Sequence, residues 1–204
     1  MIAITAEQGT EAWFSARLGK PTGSRFKDVM AEGKGLTRAS YRTELALEVV
    51  NNKRKESFVS KAMENGTDQE PFARSAYEAR TGEMVDEVGF CLHDTLACGV
   101  SPDGLVNGSG LTEFKCPTDP VHLEYMKRKD MPPAYRWQVQ GQLWVMDREW
   151  CDFASYNGSF GDNAQLIIRR TYRDEAAIKS LEESIKTFIE EVAAEVEFIR
   201  NYKE

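Results

Sequence analysis

Apolar positions recur in two rhythms along the chain, and each rhythm predicts an element. Tyr41, Leu45, Ala46 and Val49 fall at helical spacing in YRTELALEVVNN (residues 41–52), directly after Thr37-Arg38-Ala39-Ser40. In GTDQEPFARSAYEARTG (66–82), Glu70 follows Thr67 by three residues, the pattern of a capping box. Pro71 is tolerable only near such a start, so the spacing predicts a helix over about Asp68–Arg80, closed by Gly82. Three β-like runs come next: MVDEVGFCL (84–92), LACGVSPDGLV (96–106) and GLTEFKCP (110–117). Asn107-Gly108-Ser109-Gly110 joins the last two and is strong hairpin chemistry.

A helix is expected around Val121–Lys129, and Pro132-Pro133 opens another over AYRWQVQGQLWVM (134–146). Two further strand-like runs, WCDFASYN (150–157) and AQLIIRRTY (164–172), flank the turn-rich GSFGDN. From about Asp174 an amphipathic helix runs on, its stripe formed by Ala177, Leu181, Ile185, Phe188, Val192, Val196 and Ile199. The order of helices, strands, helices, strands and helix predicts an α/β or α+β fold, a central mixed β-sheet flanked by helices. No internal repeat or low-complexity linker divides the chain, so residues 1–204 are expected to form one domain.

Composition narrows the class. With 41% hydrophobic and 29% charged residues, this is an ordinary globular chain, long enough to bury a core without disulfides or a structural metal. No apolar run reaches the roughly 18–20 residues of a membrane span, and the start, MIAITAEQGTEAWF, has no secretory pattern. A cytoplasmic protein without membrane attachment is expected. Cys91, Cys98, Cys116 and Cys151 form no CxxC pair, and His93 and His122 are the sole histidines, so zinc or iron–sulfur is poorly supplied. Oxygen ligands abound, with 33 Asp and Glu.

The net charge of −7 argues at first against a polyanionic partner, but its distribution changes that. Residues 174–204 hold nine acidic and four basic residues, hence five of the seven net negative charges. At the other end, AWFSARLGKPTGSRFK (12–27) carries Arg17, Lys20, Arg25 and Lys27 and no acid. A local basic cluster under an acidic whole is compatible with a phosphate-bearing ligand held at one place.

The chemistry concentrates in SPDGLVNGSGLTEFKCP (101–117). Alternate strand residues share a face, so Leu111, Glu113 and Lys115 point one way and Thr112, Phe114 and Cys116 the other. A plain two-residue loop at Gly108-Ser109 would set Gly104 level with Glu113 and leave Asp103 on the far face. An odd-length loop or a bulge would bring Asp103 round. Pro102 and Gly104, which both interrupt regular pairing, predict such an irregularity. Two carboxylates on one face then call for a cation, and oxygen ligands with room for water suit Mg²⁺, or alternatively Mn²⁺. Lys115 fits beside them as the group that aligns water and offsets charge during metal-assisted phosphodiester hydrolysis.

This P-D…E-x-K arrangement, preceded by an acidic residue on a helix, resembles the PD-(D/E)xK nuclease superfamily with its restriction-endonuclease-like core. More narrowly, AWFSARLGKPTGS, ENGTDQEPFA, CGVSPDGL, LTEFKCP and AYRWQVQGQLWV, in that order, resemble the phage lambda exonuclease family of YqaJ-like alkaline exonucleases. The last 30 residues contribute little, and the segment between Gly33 and Tyr41 is brief.

The resemblance implies that Asp103, Glu113 and the Phe114 backbone carbonyl bind metal, with Glu70 completing the site directly or through water and Lys115 assisting the attacking water. Tyr135 and Gln138 match the family's Y-x-x-Q and would line the scissile phosphate from one helix face, with Val139 and Leu143 turned inward. Arg17, in the matching R-L-G, would meet a 5′-terminal phosphate, with Ser24 adding a hydroxyl; Trp13 matches in position, or is simply buried. The activity implied is a Mg²⁺-dependent 5′→3′ exonuclease acting on double-stranded DNA ends, releasing mononucleotides and leaving 3′ single-stranded tails. The implied assembly is a ring-shaped homotrimer, the acidic C-terminal helix on its outer face or at a subunit contact, and the implied partner a single-strand annealing protein. Two readings compete: an endonuclease on the same core, including an iron–sulfur form that the scattered cysteines do not supply, and a non-catalytic DNA-binding module.

Overall fold

The computed structural model describes residues 2–4, 8–31, 36–55 and 61–203. Among the described residues eight strands divide between two sheets. β1 (Ile2–Ile4), β3 (Phe90–Leu92) and β4 (Gly99–Val100) form a three-stranded sheet in the order β1-β3-β4. β2 (Val85–Asp86), β5 (Gly104–Val106), β6 (Gly110–Lys115), β7 (Trp150–Tyr156) and β8 (Leu166–Tyr172) form the central five-stranded sheet in the order β2-β5-β6-β7-β8. Only β6 and β7 pair in parallel there. A parallel pair needs a crossover, supplied here by α5 (Asp119–Lys127) and α6 (Arg136–Met146). The expected central mixed sheet flanked by helices is present.

Two apolar layers fix the sheet between helices. On one face Leu111 and Cys151 pack with Val139 and Leu143 of α6, Tyr41 and Leu45 of α3 (Leu36–Asn51), and Leu181, Ile185 and Phe188 of α7 (Glu175–Asn201). On the other, Val106, Phe114, Trp150 and Ala154 pack with Ala73 and Tyr77 of α4 (Lys61–Thr81). The alternation expected in β6 is therefore real: Leu111 and Phe114 lie in opposite layers. Gly141 permits the close approach of α6, because a Cβ there would stand 2.3 Å from Phe26 of α2 (Phe26–Val29).

Several expectations are corrected. The two β-like runs at 84–92 and 96–106 each split across both sheets, the first beyond Asp86 and the second at Ser101-Pro102-Asp103. The helix expected over 68–80 begins at Lys61, so Pro71 lies inside it and Thr67-Glu70 is no capping box. One proline removes one N–H from the helical ladder, and burial of Ala73 and Tyr77 holds the helix regardless. Tyr135 ends a 3₁₀ turn, Pro133–Tyr135, and α6 starts one residue later. Val49 leaves the apolar stripe of α3 and stands 36% exposed, where a Cβ on Gly19 would meet it at 2.4 Å. The acidic face of α7 is also partly spent within the chain: Glu191 pairs with Arg38 at 2.9 Å, and Glu195 with Arg42. Within the segment between Gly33 and Tyr41, residues 33–35 lie outside the described residues. Among the described residues no helix is long and apolar enough to cross a membrane.

Candidate active site

The hairpin loop is odd in length. Gly104 pairs with Thr112, Leu105 with Leu111 and Val106 with Gly110, leaving the three residues 107–109 to turn. Asn107 takes the left-handed conformation (φ 47°), which asparagine tolerates better than most residues, and its Oδ1 accepts the Ser109 N–H at 2.9 Å. This register, which comes from the odd-length loop rather than from Pro102 and Gly104, sets Asp103 level with Glu113.

Asp103 is half-buried, and its Oδ2 accepts the Phe114 backbone N–H at 2.7 Å. Desolvation, then the neighbouring Glu113 carboxylate, push its carboxyl well above the usual range. Glu113 is 1% exposed. Its Oε1 accepts hydrogen bonds from Lys115 Nζ and from Gln138 Nε2, the latter at 2.6 Å; its Oε2 accepts from Gln142 Nε2, also at 2.6 Å. Lys115 Nζ donates as well to the Phe114 carbonyl at 3.1 Å. Burial works against the charge on Lys115, but Glu113 and Asp103 outweigh it and raise its pKa. Lys115 is thus a fixed ammonium, suited to steadying negative charge rather than to removing a proton.

The remaining expected residues gather loosely around this centre. The Tyr135 ring lies 5.5 Å from Lys115 Nζ, and its hydroxyl is 3.2 Å from that of Tyr125. Glu70 comes from α4, where its carboxylate is 3.6 Å from Arg74. Burial raises its pKa, Arg74 and Lys115 oppose the rise, and Glu113 adds to it, so Glu70 shares the field of the same site. Among the described residues no three Asp, Glu, His or Cys side chains stand close enough to hold a metal ion. The Asp103 and Glu113 carboxylates and the Phe114 carbonyl, all oxygen donors, are linked through the Phe114 N–H and the Lys115 ammonium. The Lys115 ammonium already bonds two of these three groups. A hard cation bound through oxygens fits that donor set.

Arg17 and Ser24 line a separate cavity of about 400 Å³, together with Lys20, Arg25, Arg54 and Lys55 and with Glu44 and Glu48. Arg17 ends α1 (Glu11–Arg17). Its guanidinium stacks on the Trp13 ring at 3.9 Å and donates to Ser101 Oγ at 3.3 Å. Trp13 is buried and donates to the same hydroxyl at 3.2 Å, so burial and a role beside Arg17 hold together. Burial lowers the Arg17 pKa to about 10, which leaves it cationic near neutrality. Arg25 is less available: Asp28 and Glu44 pair with it.

Sequence reasoning missed Gln142, Ser101 and Arg74. Gln142 had a usable signal, since it follows Gln138 by four residues and so shares its helix face. Ser101 directly precedes Pro102-Asp103, but nothing in the sequence shows that Trp13 and Arg17 reach it.

The chain is similar to a family of known sequences and to solved structures. The family model described as a YqaJ-like viral recombinase domain matches residues 12–149. Among solved structures, an alkaline exonuclease (LHK-Exo) from Laribacter hongkongensis is 41% identical, with a TM-score of 0.88 over 94% of this chain and 96% of that one. A structure of LHK-Exo in complex with dAMP is similar at 42% identity, with a TM-score of 0.89 and the same coverage. A phage related exonuclease from Haemophilus somnus 129PT shares the fold, with a TM-score of 0.70 at 14% identity over 88% of this chain and 96% of that one. No curated protein matches.

Proposed function

Because the chain belongs to the YqaJ-like viral recombinase family, we propose that it is a DNA exonuclease, and more finely a Mg²⁺-dependent 5′→3′ exonuclease on double-stranded ends. The observation that carries this reading is the meeting of Asp103, Glu113, Lys115 and Gln138 at one point of the central sheet. Asp103, Glu113 and the Phe114 carbonyl would hold the metal, with Glu70 at its edge. Bound there, Mg²⁺ supplies a Lewis acid for the phosphodiester and lowers the pKa of its water. Lys115 would steady the negative charge that develops on the phosphoryl oxygens. Gln138, anchored on Glu113, and Tyr135, beside Lys115, line the scissile phosphate.

The cavity at Arg17 and Ser24 supplies end recognition. A 5′-phosphate there would meet a cation held rigidly by Trp13 and Ser101. Ser101 lies two residues before Asp103, so the end-binding contact and the reacting site share one short, proline-stiffened segment. LHK-Exo has been solved with dAMP, and a mononucleotide is the product proposed here, with a 3′ single-stranded tail left behind. A homotrimeric ring around DNA, an annealing protein to take over the tail and a cytoplasmic location complete the proposal on the strength of the family resemblance. A ring would let an acidic protein hold DNA, since only its channel need attract phosphate.

The test compares linear duplex DNA with covalently closed circles, in Mg²⁺ and in EDTA. Loss of linear DNA alone, dependent on Mg²⁺, is the expected result. Cut circles would keep the catalytic centre and make the protein an endonuclease. No cleavage of either in Mg²⁺ or Mn²⁺ would favour a non-catalytic DNA-binding module.

A further inference from the structure

Gln142 lies on α6 one turn beyond Gln138, and only 1% of it is exposed. Its Nε2 donates to Glu113 Oε2 at 2.6 Å, while its Oε1 is buried with no hydrogen-bond partner among the described residues. An unpaired buried carbonyl is costly, whereas an apolar side chain of similar length would fill the same place without that cost. A glutamine here is explained by its donor.

Glu113 supplies the reason. A carboxylate withdrawn from water needs donors on both oxygens. Lys115 and Gln138 share Oε1, and Gln142 is the donor to Oε2. A reversed Gln142 amide would set oxygen against oxygen, so its orientation is dictated by the Glu113 oxygen it faces. With Oε2 pinned to α6, the carboxylate cannot rotate about its own axis, and Oε1 stays turned toward Lys115.

We propose that Gln142 is a positioning residue for cleavage: acting through Glu113 rather than on DNA, its amide fixes the carboxylate rotation that metal binding requires. The inference rests on the nuclease reading above. Partners of metal-binding carboxylates typically change metal affinity or activity by about 10–100-fold when removed.

The test uses the full-length protein and two variants. Gln142→Met keeps length and removes the donor. Gln142→Leu also removes the donor, with a different shape. Mn²⁺ affinity is measured without DNA by titration calorimetry, thermal unfolding reports the fold, and kcat and KM are taken on linear duplex DNA. Gln142→Met is expected to unfold near the parent temperature, to bind Mn²⁺ at least tenfold more weakly, and to lose kcat with KM unchanged. Gln142→Leu is expected to match it in affinity and kcat, whereas a purely structural role leaves the Mn²⁺ affinity of a folded variant parental. A folded variant of either kind with parental affinity and kcat overturns the proposal. Failure of both to fold assigns the amide to the core and also overturns it. A parent protein that neither binds Mn²⁺ nor cuts DNA overturns the nuclease reading itself, and this inference with it.

Discussion

Asp103 stands level with Glu113 because the hairpin between them turns over three residues, and the Phe114 N–H then holds the Asp103 carboxylate at 2.7 Å. Two acids set side by side repel, and that repulsion is part of what keeps the Asp103 carboxyl well above its ordinary value. Burial is the larger cause and the Lys115 ammonium offsets part of the rise, so an ionised Asp103 is strained here.

Asp103→Asn is expected to relieve that strain. The amide oxygen still accepts the Phe114 N–H, so the variant should melt a few degrees above the parent at neutral pH while losing activity; for a chain of this size about 1 kcal/mol corresponds to roughly 2–4 °C. The sign follows from linkage. An acid whose folded value is raised costs stability as pH climbs from its unfolded value of about 4 toward the raised one, and costs nothing below. The gain should vanish in acid, which thermal melts at several pH values would check.

Added Mg²⁺ should raise the melting temperature of the parent, since a ligand at a hundred times its dissociation constant stabilises by about 2.7 kcal/mol. Asp103→Asn should show little of this rise. An equal rise in both proteins would place the metal elsewhere.

Arg17→Ala should lower the preference for 5′-phosphate over 5′-hydroxyl ends by about tenfold or more, the scale of a charge-assisted hydrogen bond. Arg17→Lys should fail in a pH-dependent way. Burial lowers even the arginine to about 10, and an unburied lysine, near 10.4, starts well below an unburied arginine. Its charge, and with it the phosphate preference, should be lost as pH rises from about 7.5 to 9.5, while the parent keeps most of its preference. Initial rates on the two kinds of end at both pH values would show this.

Gly141→Ala should destabilise the protein by about 1–3 kcal/mol, the usual cost of overpacking, because the added Cβ would lie 2.3 Å from the Phe26 ring. Any shift of α6 also moves Gln138 and Gln142 off Glu113, so activity should fall further than stability. Denaturant melts and kcat measured on one preparation separate the two effects.

Much of this site was legible in the sequence because it is local. The alternation through Glu113, Phe114 and Lys115 is a property of one strand, and an odd-length turn was one of the two ways expected to bring Asp103 beside Glu113. What depends on distant segments was not legible. The division of strands between two sheets turns on which partner each short run finds, and runs of two or three residues carry no such signal. The start of α4 at Lys61 was hidden by Pro71, whose penalty is offset by Ala73 and Tyr77 packing on the sheet. Gln142 looks like any interior helix residue until α6 is laid across Glu113, and the hold of Ser101 on Arg17 spans 84 positions of chain.

Asp103, Glu113 and Lys115 are proposed to cut DNA from a 5′ end. The most direct measurement follows linear duplex DNA labelled at the 5′ or the 3′ end in Mg²⁺, with Lys115→Ala, verified as folded, alongside. Early release of the 5′ label as a mononucleotide, a 3′ label retained on long strands and an inert variant are the predicted results. Early release of the 3′ label, or an Ala variant as active as the parent, would contradict the account.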